Sequence, residues 1–339
     1  MPSRRQILMA AAATATVAPI TTACSRAQGT KPVRRTGKAP VTYLTVFGFT
    51  PRELYGAVAL KQGFFDAAGL GVTIQPGKPG QANINTMVAG RAHFVGIDCA
   101  SAIRNYLPSG GSYRAICAVQ NQTLLSVMSL DGDGVTQPVD LVGKTIATGQ
   151  GAATQTLFPA YARLARIDAS KVHITQVADT TQLNPMLAAH KVSGIGTYLI
   201  DTPSVEKVSG KKPVVLPYSK YLTDLYGTLI ITPKQLAARN PDVVRRFAHA
   251  LMQGVSFAVQ NPSQAAADMR AFLKDHGTTV DLDVATQTMA LMEPYVGTGA
   301  IDETRMMQCI ALMETTGVPP IGSGLTPDAL VDFDMMATV

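Results

Sequence analysis

Five histidines, four cysteines and a few loop carboxylates and aromatics are the residues of this 339-residue chain that could do chemistry. Their spacing argues against most of it. His93, His173, His190, His249 and His276 form no His-Glu-x-x-His pair, and the chain has neither a Gly-x-Ser-x-Gly elbow nor a phosphate-cradling Gly-x-x-x-x-Gly-Lys-Ser/Thr loop. No catalytic residue is therefore assigned, and the protein is read as a non-enzyme. After Cys24 only Cys99, Cys117 and Cys309 remain, an odd number without Cys-x-x-Cys spacing, so neither a zinc site nor a disulfide scaffold is encoded. Cys117, in the alternating run Tyr113 to Gln120, reads as a small core residue. No metal or cofactor is expected.

What remains suits recognition. Gly149-Gln150-Gly151-Ala152-Ala153-Thr154 follows a strand and opens a helix, which half resembles a dinucleotide fingerprint, but the third glycine is missing. Asp168, 19 residues after Gly149, falls at the end of the same helix rather than on a following strand where it could reach a ribose. A helix N-terminus offering backbone N–H groups to a small polar or anionic group fits better. Asp98 ends an apolar strand and opens a helix, and Asp201 precedes Thr202-Pro203; each is either a helix cap or a ligand contact. If both face a cleft, they favour a solute that donates hydrogen bonds or carries positive charge. Phe47, Phe49 and Tyr55 form either a stacking wall or part of the core, and the chain has no Trp.

Positioning these residues takes an alternation of strands and helices. From Val41 onward the order is strand (Val41 to Phe47), helix (Pro51 to Gln62), strand (Gly71 to Gln75), helix (Ala82 to Ala89), strand (Ala92 to Asp98), helix to Leu107, and strand (Tyr113 to Gln120). A second, shorter series runs from Lys144 to Leu199 in the same order. Strands separated by helices imply βαβ units and mostly parallel sheets. Two apolar segments, Leu124 to Leu130 and Gly227 to Thr232, are expected to cross between two lobes. The rest is helical, with Asn240 as cap and Pro241 as first residue of one long helix. In open parallel sheets, ligands sit beyond the carboxyl ends of the strands. That rule selects the loops Phe47 to Tyr55, Gly80 to Asn83, Asp98 to Ser101, Gln120 to Gln122, Gly149 to Thr154, Asp179 to Gln182 and Tyr198 to Thr202.

The formal net charge of +6 is local. Arg4, Arg5, Arg26, Lys31, Arg34, Arg35 and Lys38 stand in the first 40 residues with no acidic residue, leaving 22 basic and 23 acidic side chains from Val41 onward. Such a body lacks the positive excess of a nucleic-acid-binding domain. The apolar stretch Ile7 to Ile20 is shorter than the ~20 residues of a membrane span and follows paired arginines, as in an export signal of twin-arginine or general secretory type. Thr21-Thr22-Ala23-Cys24 is similar to a bacterial lipobox, with Thr21 where an aliphatic residue is usual, which makes Cys24 the expected lipidation site. Residues 25–40 read as a disordered basic tether, after an export signal over 1–24.

Three stretches carry a family resemblance. Val58-Ala59-Leu60-Lys61-Gln62-Gly63-Phe64-Phe65 with Ala68-Gly69-Leu70, Thr86 to Phe94, and Asp140-Leu141-Val142-Gly143-Lys144-Thr145-Ile146-Ala147 resemble, in that order, the periplasmic solute-binding proteins of ABC importers. The branch is that of the sulfonate, taurine, nitrate and thiamine-precursor binders, and the similarity extends from about Thr42 to Phe333. It implies an α/β, two-lobed type II periplasmic-binding-protein fold, each lobe a mostly parallel sheet flanked by helices, joined by two crossing strands. Lobe one would comprise 41–125 and 227–339, and lobe two 126–226. It further implies a monomeric, exported, lipid-anchored protein that closes by hinge motion on a small-molecule ligand and delivers it to ABC permease subunits. Family contacts map onto Phe49, Tyr55, Gln81, Asp98, Asn121, Gln150, Ala152 and Asp201. Asp98, where sulfonate binders have small or hydroxyl residues, turns the expectation toward a heteroaromatic or amine-bearing, thiamine-precursor-like solute, with sulfonate, taurine or nitrate as the alternative. An enzyme similar to thiamine-pyrimidine synthases, or a sensor presenting solute to a receptor, are the other readings.

Overall fold

Two five-stranded sheets carry the chain, and the same strand pattern builds both. The computed structural model describes residues 37–78, 80–316 and 322–336, so the expected export signal, Cys24 and most of the tether lie outside the described residues. The first sheet runs β2-β1-β3-β10-β4, with β1 (Ala39–Leu44), β2 (Leu70–Gln75), β3 (Phe94–Asp98), β4 (Tyr113–Ala118) and β10 (Thr228–Pro233). The second runs β7-β6-β8-β5-β9, with β5 (Leu125–Leu130), β6 (Thr145–Gly149), β7 (His173–Val177), β8 (Gly194–Tyr198) and β9 (Pro213–Pro217). In each sheet three strands are parallel neighbours, and the strand next to them, β10 or β5, runs antiparallel. The order places β1 and β6, β2 and β7, and β3 and β8 at equivalent positions, as the two similar sequence series imply.

The central strands β3 and β5 are buried along their whole length, which is why they read as apolar runs rather than alternating ones. Against the first sheet lies the 20-residue helix Pro241–Gln260, whose Phe247 stacks between Phe94 and Phe65 at ring distances of 3.7 and 5.4 Å. It starts at Pro241 as expected, but the Asn240 side chain makes no capping hydrogen bond, so the proline alone marks the start. Gly254 lets this helix touch Tyr55–Lys61 closely: a Cβ there would lie 2.4 Å from that of Ala59. Cys99, Cys117 and Cys309 are all free and buried.

The passages between the lobes lead directly into β5 and β10 and pair with one another. Val119 N–H donates to Thr228 O (2.8 Å), Gly227 N–H to Gln120 O (3.2 Å) and Thr123 N–H to Leu225 O (2.7 Å). Gln120 Oε1 also accepts from Thr228 N–H at 2.7 Å. The result is a two-stranded ribbon joining the two sheets. Among the described residues, no helix is long and apolar enough to cross a membrane.

Candidate functional site

The carboxyl ends of β1, β6 and β8 converge on one cavity of about 450 Å3, in the region where the strand-end rule looks for a ligand. On the first lobe the loop after β1 is braced from beneath. Gly77 N–H donates to Thr45 Oγ1 (3.0 Å), Thr45 Oγ1 donates to Gly48 O (2.5 Å), and Asn83 Nδ2 donates to Thr45 O (2.9 Å). Gly77 has to be glycine, since a Cβ would fall 1.7 Å from Thr45 O. Held this way, the loop presents Phe47, Phe49 and Thr50 to the cavity, with Phe49 seated edge-on against Phe272 and His276, both at 5.3 Å.

The opposite wall is the start of the helix Ala153–Leu164, with Gly149, Ala152, Ala153 and Thr154 lining the cavity. Gly196 on β8 leaves room for them, because a Cβ there would meet Thr148 Cγ2 at 2.8 Å and Thr154 Oγ1 at 2.9 Å. The hydroxyls of Thr50, Thr148 and Thr154 are buried without a hydrogen-bond partner. Unpaired buried hydroxyls are costly, and two of these residues line the cavity. Together with the free N–H groups of the helix start, they form a polar end that an oxygen-rich group would satisfy. Lys78, exposed at the rim, adds a positive charge.

Between these walls stands a charge cluster that spans the lobes. Arg52, on the turn Pro51–Glu53, donates from Nη1 to both oxygens of Asp201 at 2.8 and 2.7 Å, and Thr197 Oγ1 donates to Asp201 Oδ2 at 2.6 Å. The guanidinium lies 4.1 Å from the centre of the Tyr198 ring and 5.6 Å from that of Phe47. Burial alone would weaken its positive charge, but Asp201 and Glu53 outweigh that and raise its pKa. Its Nε approaches Glu53 Oε1 at 3.2 Å without hydrogen-bond geometry. Glu53, only 3% exposed, accepts one hydrogen bond, from Val46 N–H at 3.2 Å. Burial lifts its pKa to about 7 against the pull of Arg52. Behind Arg52 a void of about 10 Å3 is lined by Glu53, Asp98, Gln120, Thr123 and Thr228, just enough for one water.

The sequence model of the NMT1/THI5-like family matches residues 54–265, more than half of the chain. The chain belongs to the NMT1/THI5-like family. Solved structures share the fold of this family member. One is a Bordetella bronchiseptica protein at 19% identity, covering 88% of this chain and 96% of that one with a TM-score of 0.66. A second is the Escherichia coli periplasmic aliphatic sulphonate binding protein (10%, 89% and 92%, 0.66). A third is the ligand-binding component of a Staphylococcus aureus ABC-type import system (13%, 88% and 97%, 0.65). No curated protein sequence matches the chain.

The residues expected to form the site of this NMT1/THI5-like protein separate into three groups. Phe49, Ala152 and Asp201 line the cavity. Asp98 lies behind it, facing the small void and capping the helix Cys99–Tyr106 by accepting from Ser101 N–H at 2.8 Å; burial raises its pKa. The remaining four are not on the wall. Tyr55 is fully buried in the core with its hydroxyl on that of Tyr43, because its helix faces inward. Gln81 bonds to Asn85 on its own helix, Asn121 is exposed beside Arg305 on the ribbon between the sheets, and Gln150 is exposed in its turn. Arg52 and Glu53 went unselected although they are the only charged residues between Val41 and Leu60, a signal the sequence did contain. Among the described residues, no group of three or more His, Cys, Asp or Glu could hold a metal ion.

Proposed function

We propose that this protein is the exported solute-binding component of an ABC importer, capturing a small organic solute between its lobes and handing it to a permease. The observation that carries this reading is the 450 Å3 cavity, walled by strand ends of both sheets and by aromatic side chains on one side and a helix start on the other. Its size suits a small molecule, and its position is that of ligand sites in parallel-sheet proteins. The fold shared with an ABC-type import component and a sulphonate binding protein supports the same reading. In it the lobes divide near residues 125 and 227, the protein acts as a monomer, and Cys24 anchors it by lipid outside the cytoplasm.

The cavity's chemistry favours an oxyanion head on a flat or apolar body. Asp201 is committed to Arg52, and Asp98 is a helix cap outside the large cavity, so neither supplies the free negative charge that an amine would need. Uncommitted groups are instead donors: Lys78, the hydroxyls of Thr50 and Thr154, and the helix start. Phe47, Phe49 and Tyr198 suit the body of the solute. Closure would be driven by contacts that both lobes make only when together.

A thermal-shift panel of aromatic and aliphatic sulfonates, carboxylates, nitrate, pyrimidines and amines tests this. Acids with apolar bodies are expected to raise the melting temperature. A response to amines or uncharged pyrimidines alone would sink the oxyanion reading, and no response from any class would sink the solute-binding one.

A further inference from the structure

We propose that the Arg52–Asp201 pair is a proton-controlled latch between the lobes, with Glu53 as the group that sets it. The latch goes beyond solute binding and does not depend on which solute the cleft takes. Arg52 belongs to the loop after β1 and Asp201 to the turn after β8, so their contact joins one sheet's loops to the other's. Thr197 holds the carboxylate, and the Tyr198 ring holds the guanidinium. The carboxylate is therefore oriented within its own lobe, whereas the Tyr198 ring, on that same lobe, reaches the guanidinium only when the lobes are together.

Glu53 is the competitor. Its Oε1 stands 3.2 Å from Arg52 Nε but outside hydrogen-bond geometry, while its only hydrogen bond among the described residues comes from Val46 N–H. One guanidinium thus faces two carboxylates, and a third, Asp98, lines the same small void. Other groups near Glu53 do not balance it. Tyr43, Tyr55 and Tyr198 bring hydroxyls whose pKa burial raises, so they stay neutral. The helix Leu282–Met292, packed on the turn, carries only Asp283, which is exposed; Lys61, at the far end of Tyr55–Lys61, pairs with Asp275. The ribbon joining the sheets contributes uncharged Gln120, Thr123 and Thr228.

With Glu53 protonated, the guanidinium serves Asp201 and the lobes are held together. With Glu53 ionised, two carboxylates repel each other across one cation in a low-dielectric setting, and Asp201 is the one free to move away with its lobe. The latch therefore loosens as pH rises through about 7. Other interlobe ties lack this dependence: Lys207 pairs with Asp281 on the surface, and Arg104 donates to Thr156 Oγ1 and Gly151 O.

Spin labels on the exposed positions Val88 and Val139, one on each lobe, read the latch in the ligand-free full-length protein. Distances measured by pulsed electron resonance should lengthen between about pH 5.5 and about pH 8.5. In Glu53→Gln they should stay short at both, and in Asp201→Asn they should be long at both. A distance that does not change with pH in the parent protein, or that changes equally in Glu53→Gln, overturns the proposal. Should Glu53→Gln fail to fold, a pH response persisting in Asp201→Asn overturns it instead.

Discussion

Burying Glu53 beside a single guanidinium ties folding stability to pH. Its pKa is about 7 in the folded protein against 4.5 for the free side chain, so the folded state holds a proton that the unfolded state releases. Stability from this group is complete below about pH 4.5 and is lost as pH rises through about 7, amounting to roughly 3 kcal/mol at 1.36 kcal/mol per unit. Glu53→Gln is expected to remove that decline, so urea titrations of the two proteins at pH 5 and pH 8 should converge at the lower pH and diverge at the higher. Equal slopes would refute the assignment. Asp98→Ala should cost about 1 kcal/mol by uncapping its helix while leaving solute affinity unchanged; calorimetry showing weaker binding at full stability would contradict this. In the sequence Asp98 and Asp201 present one pattern, an acid between a strand and a helix. They differ only through a partner 149 residues away, which local reading cannot supply.

At the scale of elements, the alternation of strands and helices was legible because burial on both faces leaves long apolar runs, and most strands stand where that pattern puts them. β9 was missed for a physical reason. It is an edge strand bounded by Pro213 and Pro217, where proline is tolerated because one side of the strand has no ladder to serve, yet proline reads as a loop signal. The helix Thr202–Ser209 starts where Asp201-Thr202-Pro203 offers a cap position, with Pro203 in its first turn marking a start rather than a break. Tyr55 shows the limit of loop-based site reading: its helix begins with only Leu54 between it and the site turn, and a helical twist sends it to the core. Gly254→Ala tests the helix contact, since its new methyl would overlap Ala59. Destabilisation of about 1–3 kcal/mol in chemical denaturation is expected, and a neutral result would show that the two helices can part.

For the whole molecule, the solute-binding reading gives a measurable stake: a true solute at about 100 times its dissociation constant should stabilise the protein by about 2.7 kcal/mol. Glu53→Gln, with its lobes held, should keep that response at both ends of the pH range, whereas the parent should bind more weakly at alkaline pH. Isothermal titration at two pH values decides between them. The interleaving of the sheets also has a consequence for how the chain is made. β4 has β10 as its only strand neighbour, and β10 lies beyond every strand of the second sheet, while that second sheet is drawn wholly from residues 125–217. A chain emerging from its N-terminus can therefore finish the second sheet first. The first, although it begins earlier, must wait with a gap between β3 and β4 until residue 233 has been synthesised, so its unpaired strands are the ones exposed to mispairing during biosynthesis.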